Sequence, residues 1–138
     1  MNNQEIFNKV WQHAVVENQP LSYKGIYGKA RITCEYRGQN GSRCWIGVVM
    51  PDEAYNPKFD TNDYPRATDV LTLRRFYPRV RKFLHGAGRE FLKAIQEAHD
   101  IMATNEFYDW HETKSARERL MVIATDYGLH IPESESDA

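Results

Sequence analysis

Between Ile32 and Met50, side chains alternate in character on either side of Gln39-Asn40-Gly41, and this pattern constrains the fold more than any other part of the chain. A three-residue loop with Gly41 in the left-handed conformation pairs Gly38 with Ser42 and continues outward as an antiparallel ladder. One face then carries Ile32, Cys34, Tyr36, Cys44, Ile46, Val48 and Met50. The other carries Thr33, Glu35, Arg37, Arg43, Trp45, Gly47 and Val49. A slip of one residue would mix the two sets, so turn and alternation agree on one register. In that register Cys34 and Cys44 are diagonal neighbours with α-carbons roughly 7–8 Å apart. That separation exceeds the reach of a disulfide, so both are expected to be buried, reduced packing residues.

The remaining elements follow from helical spacing and end signals. Asn2 followed by Glu5 is a capping-box start. Ile6, Phe7, Val10, Trp11, Ala14 and Val15 then predict an amphipathic helix over 3–17, stopped by Asn18-Gln19-Pro20. Residues 21–29 form a connection with room for a third strand. Residues 51–77 are rich in proline and polar side chains and predict a long loop, with a short strand at Val70 to Leu73. Val80, Leu84, Ala87, Phe91, Ile95, Ala98 and Met102 form a helical stripe, which Gly86 and Gly88 kink or divide. Ser115 and Glu118 open a last helix that Gly128 closes, with Trp110 expected to pack beneath it. The fold class is α+β, an antiparallel β-hairpin packed on three to four helices. It makes one domain over 1–131, followed by an acidic, disordered tail at 132–138.

A chain of 138 residues with a 41% hydrophobic share can bury a core without staples. No apolar run approaches the roughly 18 residues that span a bilayer. The first residues also lack the basic-then-apolar pattern of a secretory signal, so a cytoplasmic protein is expected. Net charge is −1, yet residues 66–93 hold eight basic side chains against Asp69 and Glu90.

That segment supplies the first candidate site. In Arg74-Arg75-Phe76-Tyr77-Pro78-Arg79-Val80-Arg81-Lys82, cations and aromatics interleave. Such a run can neutralise phosphates and stack bases, or meet an acidic protein surface. Arg74, Arg75, Arg79, Arg81 and Lys82 supply charge, with Phe76 and Tyr77 as anchors. The overall acidity argues against non-specific duplex binding. A second, polar candidate set comprises Tyr36, Arg37, Asp52, Glu53, Tyr55, His99 and Asp100. Asp52 can cap the turn after Pro51 or grip Arg37 or Arg43. His99 and Asp100 are adjacent on a helix and diverge by about 100°, so they are not expected to pair. His99 with Cys34 or Cys44 would be the base and nucleophile of a small enzyme, but apolar surroundings make a thiol inert. His13, His85, His111, His130, Asp109 and Glu112 lack metal-ligand spacing, so no metal is expected. No Gly-rich phosphate loop is present, so no cofactor is expected either.

The combination Cys34-x-Tyr36-Arg37-Gly38, Gly41-x-x-Cys44-x-x-Gly47, Met50-Pro51-Asp52-Glu53-x-Tyr55, Gln96-x-x-His99-Asp100, Trp110 and Ile123-Ala124-x-x-Tyr127-Gly128-Leu129 resembles a family of small, mostly uncharacterised tailed-phage and prophage proteins. The likeness runs over residues 3–131, with a longer insertion here at 56–80. It implies a phage accessory protein in the cytoplasm of an infected or lysogenic host, with a core scaffold shared across the family. The insertion would then engage a host or phage macromolecule, such as a defence or takeover target. Single-stranded nucleic-acid binding and a small Cys/His enzyme are the alternatives.

Overall fold

The computed structural model describes residues 1–25, 32–60, 69–110 and 114–132. The expected acidic tail beyond Pro132, and residues 61–68 of the insertion, including Arg66, lie outside the described residues. Helices α1 (Asn3–Trp11), α2 (Trp45–Val49), α3 (Val70–Phe76), α4 (Pro78–Leu84), α5 (Arg89–Phe107) and α6 (Ala116–Tyr127) surround one core. Strands β1 (Tyr23–Gly25) and β2 (Ile32–Cys34) pair antiparallel, with Tyr23 opposite Cys34 and Gly25 opposite Ile32. The α+β class expected from the sequence is therefore observed, with a two-stranded antiparallel sheet packed on helices.

Several helix ends are set by the residues that signalled them. The Asn2 side chain accepts from the Glu5 amide at 2.8 Å, and the Glu5 carboxylate accepts from the Asn2 amide at 3.0 Å. Helix α1 buries Ile6, Phe7, Val10 and Trp11, then continues as a π-helical turn over Gln12–Val16. Asn18, at φ 48°, ends it in the left-handed region that asparagine tolerates. Ser115 caps α6, and Gly128, at φ 64°, closes it, with the Leu129 amide donating to Ala124. The Val80 to Met102 stripe is divided at Gly86 and Gly88 into α4 and α5.

The extended hairpin is not formed. The turn itself holds: Gly41 is left-handed at φ 76°, and the Gly38 amide donates to the Ser42 carbonyl at 2.9 Å. Beyond one further bond, from the Cys44 amide to the Glu35 carbonyl, the ladder stops and residues 45–49 turn into α2. Cys44 caps that helix, its sulfur accepting from the Gly47 amide at 3.3 Å. Trp45, Ile46, Gly47 and Val49 are all buried, so the segment is enclosed all round. A short apolar run enclosed on every side reads equally as buried strand or buried helix. What selects the helix is close packing: a Cβ at Gly47 would overlap the Tyr36 carbonyl oxygen. The sheet partner of β2 is instead β1, the strand allowed for in residues 21–29.

Two other expectations also fail. Val70 to Leu73 is not a strand but the first turns of α3, because the Asp69 carboxylate accepts from the Leu71 and Thr72 amides at 2.8 and 3.1 Å. Trp110 does not pack under α6; it is 59% exposed and stacks on Tyr108. Within the predicted loop, Phe59 is fully buried and packs edge-on against Tyr36, Tyr55 and Tyr77.

Gly47→Ala is expected to lower stability in urea unfolding by about 1–3 kcal/mol, because the packed backbone of Tyr36 has to move. An unchanged midpoint would mean that α2 does not pack against Tyr36 as described.

Candidate functional site

Three places gather the chemistry-bearing residues. The first is a polar cavity of about 250 Å³ between β2, the Cys44 cap and one face of α5. Gln96, Asp100 and Thr104 recur at i, i+4 and i+8 on α5 and so line it together. Cys34 and Tyr36 face them from β2 and the residues after it. The Gln96 side-chain amide donates to the Tyr36 hydroxyl at 2.9 Å, while its oxygen accepts from the Val70 amide at 3.0 Å. His99 lies beneath this wall, fully buried, with Trp45 edge-on to its ring.

The protonation pattern around His99 follows from its contacts. The Ser22 amide donates to Nε2 at 3.0 Å, so Nε2 is an acceptor and the neutral ring carries its proton on Nδ1. Nδ1 lies 3.0 Å from the Asp100 carboxylate and donates to it. The neighbours therefore do pair, contrary to the helical-angle expectation, with Nδ1 and the carboxylate oxygen at hydrogen-bonding distance. The Cys34 sulfur lies within 4.8 Å of the same carboxylate. Burial first, and the Asp100 carboxylate second, push the Cys34 thiol far up from its ordinary range. Burial does the same to Cys44, against the opposing effect of the Gly47 amide. Both cysteines are free, as expected, Cys44 buried and Cys34 half-buried.

This pattern limits the chemistry. Cys34, His99 and Asp100 bring one donor atom each within 4.8 Å of one another, which resembles a metal-ligand trio. A metal at Nδ1 would have to displace the ring proton while Nε2 stayed committed to the Ser22 amide, forcing an imidazolate. The same commitment leaves His99 no lone pair with which to take the Cys34 proton, so the thiol–imidazole pair of a cysteine enzyme is not assembled.

The second place is a latch around Arg37. Its guanidinium contacts Asp52 at 2.7 Å and the Met50 carbonyl at 3.2 Å, and lies 4.4 Å over the Tyr55 ring. Asp52 thus grips Arg37, one of the two arginines the sequence offered it. Glu53 is exposed and contributes its carbonyl to Arg79. Behind the latch, Asp60 accepts from the Tyr36 amide at 2.7 Å, the Arg37 amide at 3.2 Å and the Tyr55 hydroxyl. Burial and the Asp60 carboxylate hold the Tyr55 hydroxyl well above its ordinary value. The seven polar candidates therefore divide between two places. Tyr36, His99 and Asp100 belong to the cavity, while Arg37, Asp52, Glu53 and Tyr55 belong to the latch. Asp60, Gln96, Thr104 and Ser22 were missed. The 96/100/104 spacing was the available signal for two of them; nothing local marks Asp60 or Ser22.

The third place is the corner between α3 and α4, where Pro78 starts the second helix. Arg74 donates to the Ala87 carbonyl, Arg79 to that of Glu53, and Arg81 to those of Arg74 and Arg75. Arg75 lies 5.3 Å from the Phe76 ring centre, and Phe76 is 64% exposed. Tyr77, expected as an anchor, instead turns its ring 4.7 Å from Phe59 and is half-buried. The residues His111 and Glu112 lie outside the described residues.

No protein-family model, curated protein or solved structure matches this chain.

Asp60→Ala leaves three donors without their acceptor and is expected to cost at least about 2 kcal/mol. Asp52→Ala removes an ion pair whose carboxylate is 94% exposed and should stay within about 0.5 kcal/mol of the parent. Chemical denaturation of both variants checks the contrast. A thiol reagent at neutral pH is expected to label native Cys34 and Cys44 at least about tenfold more slowly than free cysteine. Labelling at the free-thiol rate would contradict the buried, protonated state.

Proposed function

We propose that the protein is a phage accessory protein that binds an acidic protein surface of its host through the α3–α4 corner. One observation carries the reading. Arg74, Arg79 and Arg81 are bound to backbone carbonyls, and among the described residues none of the corner's five cations is in an ion pair. Carbonyl partners fix a guanidinium without cancelling its charge. The corner therefore presents oriented, uncompensated positive charge around an exposed aromatic ring. That is the anatomy of a hot spot, an anchor side chain within a polar rim, and prior fixation reduces the entropy lost on docking.

Single-stranded nucleic acid is the weaker reading for the same corner. It calls for successive aromatic platforms along a basic groove, whereas Phe76 is exposed and Tyr77 is committed to Phe59. The family resemblance supports the phage setting and a partner in the host cytoplasm. Among the described residues no helix is long and apolar enough to cross a membrane.

Two variants test the proposal, Phe76→Ala and the double change Arg75→Glu with Lys82→Glu. Neither removes a side chain that caps the corner, so both should keep the parent melting temperature. Both are expected to lose nuclease-resistant capture of a host protein, with the loss at least about tenfold. Equal capture by parent and variants would contradict the proposal, and nuclease-sensitive capture would favour nucleic acid. Arg81→Glu, by contrast, is expected to lower stability as well, because Arg81 caps the end of α3.

A further inference from the structure

The polar cavity does not end at Asp100 and Thr104. The same two residues line an adjoining cleft of about 460 Å³, whose other wall includes Glu97, Ile101, Asn105 and Trp110. Cavity and cleft together form one composite site with a polar inner end and an apolar outer shelf. The inner end presents the Asp100 carboxylate, walled by Tyr36 and Gln96, which bond to each other. The shelf offers the Trp110 ring beside Ile101.

Three features make this more than a surface dent. Asp100 is oriented by the His99 Nδ1–H donor, with the Cys34 sulfur within 4.8 Å, and its side chain is 41% exposed. Among the described residues no lysine or arginine closes on it; Lys93, nearby on α5, pairs with Glu97 instead. Its negative charge is fixed in direction and left uncompensated at the mouth of a cavity. Trp110 is also held in place. Asp109 takes a left-handed φ of 55°, the Trp110 amide donates to the Asn105 carbonyl at 2.9 Å, and Tyr108 stacks beneath the ring at 4.8 Å. A non-glycine residue in the left-handed region persists where its surroundings enforce it. Finally, a metal would compete for the His99 Nδ1 proton, whereas an organic cation leaves the relay intact.

We propose that this composite site binds a small, flat organic cation. An amidinium, guanidinium or protonated amine would donate to Asp100, and the flat body would lie against Trp110 and Ile101. Pairing with a partly enclosed carboxylate supplies specificity for charge, and the indole face adds cation–π and stacking contacts. This site is separate from the α3–α4 corner, so the two proposals stand or fall independently.

Benzamidine is a suitable probe and neutral benzamide its matched control. The readout is the Trp110 indole N–H in a nitrogen-15 correlation spectrum, assigned by its loss in Trp110→Phe. Benzamidine is expected to shift that signal saturably and to bind at least about tenfold more tightly than benzamide. Asp100→Asn should reduce the preference for the cation by at least about fivefold. Trp110→Ala removes an exposed side chain, leaves the fold intact and should weaken benzamidine by about tenfold. The proposal is overturned if the two probes bind equally or if benzamidine leaves the indole signal unmoved at about 10 mM. Undiminished binding by Trp110→Ala would overturn it as well.

Discussion

One buried hydrogen bond, from the Ser22 amide to His99 Nε2, governs the chemistry of this protein's interior. Both residues are fully buried, so neither group can turn to water, and an unmet amide there would carry the whole desolvation cost. The bond joins the approach to β1 to the middle of α5. It fixes the imidazole as the Nδ1–H form, which in turn orients Asp100 beside the Cys34 sulfur. A trio that resembles a metal site or a cysteine enzyme in composition becomes a chain of donors leading outward to one carboxylate. The direction of a single amide separates these outcomes.

A second constraint, the contact of Gly47 with the Tyr36 backbone, gives the cavity its far wall. With α2 seated there, Trp45 reaches the His99 ring edge-on and Cys44 closes the cavity from below. Asp60 reinforces the same stretch from the outside by holding the Tyr36 and Arg37 amides. Residues 34–37 are thus gripped on both sides although they belong to no long strand. That grip places Cys34 and Tyr36 against α5.

Much of this was legible in the sequence where local rules decide. The caps at Asn2, Ser115 and Gly128 are local hydrogen-bonding motifs, and the helices they bound lie where the spacing puts them. The stretch from Trp45 to Val49 was misread because an apolar run buried on every side has no polar face to reveal its period. Gly47, which decides the matter, acts through contact with a residue eleven positions earlier. The cavity was half legible: Tyr36, His99 and Asp100 stood out as chemical types, and the 96/100/104 spacing joins Gln96 and Thr104 to Asp100. Ser22 and Asp60 were not legible, since amide partners 77 positions away for Ser22, and 24 and 23 positions away for Asp60, leave no local trace. At the α3–α4 corner, the charges were plain in the sequence, but Tyr77's turn toward Phe59 depends on a core residue within an apparent loop.

The His99 tautomer is the most direct test of this account. A long-range proton–nitrogen correlation spectrum of the nitrogen-15-labelled protein at neutral pH distinguishes protonated from unprotonated ring nitrogens. The expected result is a neutral ring with the proton on Nδ1 and an unprotonated, hydrogen-bonded Nε2. A proton on Nε2 would contradict the Ser22 bond, and with it the orientation of Asp100 on which the site depends.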